Sequence, residues 1–151
     1  MSYLKASADN GAVFYGHLDT STLGGAGFAS QYSPELQGVE KPSSNITEQF
    51  LDLSQYDGLL LKYRKADGKR YTFNIKDEAR EEKRSDGREK ANLSWEFEFE
   101  GEREGGEAWA AWQDFQPTYR GKKQNNTRKL NPGEIRQVGL MMRRYVDIPT
   151  L

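Results

Sequence analysis

A chain of 151 residues with 35 % hydrophobic and 30 % charged positions fits one domain, residues 1–151, with an economical core. Its 22 basic and 23 acidic residues leave a net charge of -1, which argues against a general nucleic-acid binder. It has no cysteine, which excludes disulfides, thiolate zinc sites and cysteine nucleophiles, and no apolar run approaches the roughly 18 residues of a membrane span.

In chain order, the first strand candidates are Val13 to His17 and Gly27 to Gln31. Leu59 to Arg64 and Arg70 to Lys76 read as a hairpin. Leu59, Leu61 and Tyr63 share one face, and Tyr71, Phe73 and Ile75 share a face of the partner. Between them Asp67-Gly68 supplies the positive φ of a tight turn. Lys76 to Lys90 is charged with almost no apolar anchor, which predicts a solvated loop. The clearest strand is Ser94 to Glu100, where Trp95, Phe97 and Phe99 alternate with serine and glutamate. One face should be core and the other wet. Trp112 to Gly121 also carries strand patterning. In Ile135 to Arg143, Val138, Leu140 and Met142 alternate with Gln137, Gly139 and Met141. Loops are marked by Pro34, Pro42 to Ser44, Gly101 to Gly106 and Gly121 to Pro132. Six or seven short strands with few helices predict a mostly β fold, a β-sandwich.

No motif announces a reaction. Leu23 to Phe28 is glycine-rich, but a phosphate loop would need a following helix or lysine, so close strand packing is the simpler reading. His17 is the only histidine and cannot build a multi-histidine metal site. Asp52, Asp57, Asp67, Asp77 and Glu78 could serve acid–base work or calcium. Capping and making turns is the preferred reading. Asn45-Ile46-Thr47, Asn92-Leu93-Ser94 and Asn125-Asn126-Thr127 match the glycosylation pattern, which without a signal peptide reads as chance. Tyr119 and Arg120 follow Pro117 at a strand exit. They suit either a partner-binding anchor or an ion pair with a neighbouring strand.

Several blocks together resemble the complex I intermediate-associated protein family. They are Phe14 to Leu18, Leu23 to Gln31, Asp52-Leu53-Ser54 with Tyr56-Asp57-Gly58, Tyr71-Thr72-Phe73, Trp112 to Gly121, and Ile135 with Val138 to Met142. They stand in the family's order, and the wording is closest to compact fungal members. The resemblance implies a galactose-binding-like jelly-roll sandwich and a non-catalytic, chaperone-like assembly factor in mitochondria. Its partners would be complex I assembly intermediates, and it implies no catalytic residue, metal or cofactor. The alternatives are a carbohydrate or small-ligand binding module on the same fold, an enzyme of fungal secondary metabolism, and a cytoplasmic location. Ala111 stands where family members often carry proline. Members usually open with a tryptophan, an Asp-rich turn and a Gly-Gly-x-Ser motif before the position of Tyr3. They close with a Phe-x-Leu-Glu strand where Arg143 to Pro149 stands here. An incomplete sandwich is therefore expected, with an open edge beside Val138, Leu140 and Met142 and self-association through it.

Overall fold

The computed structural model describes residues 2–6, 11–16, 28–34, 50–78, 93–119, 122–125 and 128–143. The Gly24 to Gly27 run, His17, Pro42 to Ser44, most of the 76–90 loop, Asn45, Asn92 and Arg120 lie outside these residues.

Among the described residues ten strands run antiparallel to their partners. They are β1 (Ser2–Ala6), β2 (Ala12–Gly16), β3 (Phe28–Tyr32), β4 (Gly58–Tyr63), β5 (Arg70–Lys76), β6 (Ser94–Glu100), β7 (Gly106–Ala111), β8 (Gln116–Tyr119), β9 (Lys122–Lys123) and β10 (Gln137–Arg143). Six form one sheet in the order β3-β10-β5-β6-β8-β9, while β1–β2 and β4–β7 are two-stranded ribbons. Period-two patterning explains the large sheet. Trp95, Phe97 and Phe99 of β6 stand opposite Ile75, Phe73 and Tyr71 of β5, and Val138 and Leu140 of β10 continue the same face.

That face is covered by β4–β7. Ile75, Trp95, Ala110, Phe115, Leu130 and Ile135 form one buried cluster, with Leu59, Phe73, Phe97 and Val138 packed against it. Phe97 and Phe73 both meet Phe115, at ring separations of 5.8 Å and 6.5 Å. At the other end Phe14 of β2 stands edge-on to Tyr71. The fold is thus mostly β, with antiparallel strands packed in two layers, as the patterning predicts.

Three expectations need correction. First, β4 and β5 are not a hairpin: β4 pairs with β7, and β5 pairs with β6 and β10. The turn does have Gly68 at φ 79°, but the Gly68 amide donates to the Gly101 carbonyl and the Gly101 amide donates to the Lys69 carbonyl, which ties the turn to the end of β6. The connection crosses between layers, so Leu59, Leu61 and Tyr63 look across the core toward Tyr71, Phe73 and Ile75. Second, Val138, Leu140 and Met142 do not border an open edge, because β10 lies between β3 and β5. Third, Glu96 is not wet. It is buried with Thr72, Asn74 and Thr118 on the second face of the sheet, where Asn74 donates to the Tyr32 hydroxyl at 2.9 Å. Both faces of β5 and β6 are therefore covered around Asn74 and Glu96, while Glu98 and Glu100 on the polar face are exposed as expected.

Candidate interaction surface

The β4–β7 ribbon is built inside out relative to β6. The inward positions of β7 are Gly106, Ala108 and Ala110, opposite Tyr63, Leu61 and Leu59. Small residues on one strand leave room for large ones on the other, and Ala110 is fully buried. The same alternation sends Glu107 and Trp109 outward, opposite Lys62 and Leu60. Trp109 is 52 % exposed and its cross-strand neighbour Leu60 is 48 % exposed. Lys62 and Glu107 pair at 3.6 Å, so the flanking charges largely cancel. Tyr56 is exposed just before β4 on a pinned backbone. Its carbonyl accepts the Trp112 indole N–H at 2.6 Å, and the Asp57 carbonyl accepts the Trp112 amide at 3.2 Å. Exposed aromatic rings held on rigid backbone are the usual anchors of protein interfaces. Sequence reasoning missed Trp109. The signal was available in the Gly-x-Ala-x-Ala spacing, which marks the inward face of β7 as too small for a tryptophan.

Tyr119 ends β8, exposed, and pairs in register with Lys122 of β9. Lys122 and Lys123 are exposed, and the Gln124 amide donates to the Pro117 carbonyl at 2.9 Å to close this corner.

Four of the five acidic candidates, Asp52, Asp67, Asp77 and Glu78, hold structural hydrogen bonds through their carboxylates. Asp77 is buried beside the core, where its carboxylate takes both Arg128 nitrogens at 2.7 Å, the Trp95 indole N–H at 3.1 Å and the Asn131 amide at 2.8 Å. Glu78 also accepts from Arg128 at 2.7 Å. The bond to Asp77 raises the Arg128 guanidinium above its ordinary value; burial opposes this and Glu78 adds to it. Asp52 accepts from the Ser54 hydroxyl at 2.6 Å and the Ser54 amide at 2.9 Å, which lowers its carboxyl. For Asp67, burial opposes ionisation. The Tyr71 hydroxyl at 2.6 Å, the Lys69 amide and the Lys69 charge outweigh it, so the carboxyl lies below its usual range. Burial, then the bond to Asp67, pushes the Tyr71 phenol up. Asp57 is exposed before β4 and contributes its backbone carbonyl to the Trp112 contact. Among the described residues no three His, Cys, Asp or Glu side chains come together in a metal-holding group.

Residues 1–149 match the family model described as Complex I intermediate-associated protein 30 (CIA30). The chain belongs to the CIA30 family. A curated relative, an uncharacterised protein of the fission yeast Schizosaccharomyces pombe, is 35 % identical over 138 residues. The match covers 90 % of this chain and 57 % of that protein, so the chain spans little more than half the length of its relative. Within the described part of this CIA30 domain no helix is long and apolar enough to cross a membrane.

Proposed function

We propose that this CIA30 domain is a non-catalytic, chaperone-like protein-binding module that acts on assembly intermediates of respiratory complex I in mitochondria. The observation that carries the binding reading is the Leu60–Trp109 pair, displayed on the outer face of a rigid two-stranded layer with its flanking charges paired. Family membership supports the choice of complex I intermediates. Tyr119 and Arg120 are proposed as a second contact at the end of β8, on the strength of the exposed tyrosine beside an exposed basic strand. A second copy of the chain is the other occupant this layer suits. β4 and β7 pair only with each other among the described residues, which leaves each with an outer edge.

The test is native electrophoresis of mitochondria from cells carrying the tagged protein, with antibodies to membrane-arm subunits. Comigration with subcomplexes of complex I, lost in a Leu60→Ser/Trp109→Ser variant that still melts cooperatively, is the expected result. A protein that migrates alone, or as a homodimer that the same variant dissolves, would replace the assembly reading with self-association.

A further inference from the structure

Between Asp114 and Glu134 the chain runs 19 residues without a carboxylate side chain, yet this stretch holds Arg120, Lys122, Lys123, Arg128 and Lys129. Five of the 22 cations and none of the 23 acids therefore fall in one short segment. Arg128 is consumed by Asp77 and Glu78. Lys122, Lys123 and Lys129 are exposed, and none of the three makes an ion pair among the described residues.

Two of these lysines make up β9, the terminal strand of the six-stranded sheet. The Gln124 amide bonds the Pro117 carbonyl, and the register pairs Thr118 with Lys123. In an antiparallel ladder hydrogen-bonded pairs alternate with non-bonded ones, so the N–H and C=O of Lys123 point away from β8, to the side where no described strand pairs with β9. Successive strand residues also face opposite ways. Lys122 thus shares its face with Tyr119, and Lys123 shares its face with Thr118.

We propose that this edge receives an extended, acidic segment of a partner protein. The inference rests on the protein-binding reading above and names the chemistry of what is bound. Lysine on a short edge strand is a common guard against pairing with a second copy, because like charges would meet. The same charges favour an acidic strand, so one device both excludes and selects. An extended peptide laid along β9 can bond the backbone of Lys123 and place carboxylates on both sides of the sheet. A flat anionic membrane could reach only one of the two lysine faces, which is why the peptide is the favoured occupant.

The experiment titrates the full chain with a synthetic peptide in which Glu-Glu pairs alternate with Val-Val pairs, so that a bound strand carries carboxylates on both faces, and with its Gln-for-Glu counterpart, following backbone amide shifts. Shifts centred on Lys122 to Gln124, with the Glu peptide binding about tenfold tighter at low salt, are expected. That preference should shrink as salt rises. Lys122→Glu/Lys123→Glu should lower affinity by about tenfold, and Lys122→Gln/Lys123→Gln by less, with the remaining spectrum unmoved. Equal affinity for the two peptides, shifts centred elsewhere, or tighter binding to phosphatidylglycerol vesicles or single-stranded DNA than to the peptide would overturn it. Comigration of the unaltered protein with complex I subcomplexes is scored separately, so a failure here leaves the protein-binding reading standing.

Discussion

Trp95 and Trp109 lie on opposite layers of one fold in opposite environments. Trp95 is 4 % exposed, its indole N–H is bonded to Asp77, and the Arg128 guanidinium lies 5.9 Å from its ring. Trp109 is half in water. The two strands follow the same period-two rule. The difference is the inward set: bulky aromatics on β6, glycine and alanines on β7. Burial is therefore decided by what the opposite strand supplies, not by how apolar a residue is. Half of a tryptophan's 150–250 Å² at roughly 25 cal/mol per Å² is about 2–3 kcal/mol that only a partner can collect.

The contrast can be broken at its buried end first. Trp95→Ala removes a core ring and a buried hydrogen bond and should cost about 3–5 kcal/mol in urea unfolding. A cost below about 1 kcal/mol would mean that Trp95 is no more structural than Trp109. Next in size is the clasp beneath Trp95. Arg128→Ala leaves the buried Asp77 carboxylate short of its cation, and with Arg128 itself partly exposed the loss should be about 2 kcal/mol. Asp77→Asn/Arg128→Met in the same series should recover part of it, and no recovery would assign the effect to packing alone.

Asp67 gives a smaller, pH-dependent effect. Its folded-state carboxyl is lowered, so its contribution is complete above the ordinary value of about 4 and is lost as pH falls through the folded value. Because the side chain is partly exposed, Asp67→Asn should cost less than about 1 kcal/mol at neutral pH, and the gap to the natural protein should close in acid. A gap that widens below pH 4 would reverse the sign. The smallest stability effect is expected at the exposed tryptophan, where Trp109→Ser should change unfolding by no more than about 0.5 kcal/mol.

How far the fold was legible follows the same distinction. β5, β6 and β10 could be read because their inward residues are large and regularly spaced. β7 could not, because its inward positions are Gly106, Ala108 and Ala110, which carry little hydrophobic signal. β9 is two lysines, a strand only by virtue of Tyr119 and Thr118 beside it. The Asp67-Gly68 turn was legible, but whether a turn closes a hairpin or crosses between layers depends on distant Gly101 and β7. Asp77 was legible as a structural carboxylate, though not its partner Arg128, 51 residues away. Of the candidate surface, Tyr119 was foreseen as an exposed aromatic and Trp109 was not. Exposure of a tryptophan in a strand is a property of register.

The most direct measurement is a pair of readings on the Leu60→Ser/Trp109→Ser protein: its unfolding free energy, and its comigration with complex I subcomplexes in native gels. An outward-facing anchor pair predicts unfolding within about 1 kcal/mol of the natural protein together with loss of comigration. Intact comigration, or a protein that no longer folds, would contradict it.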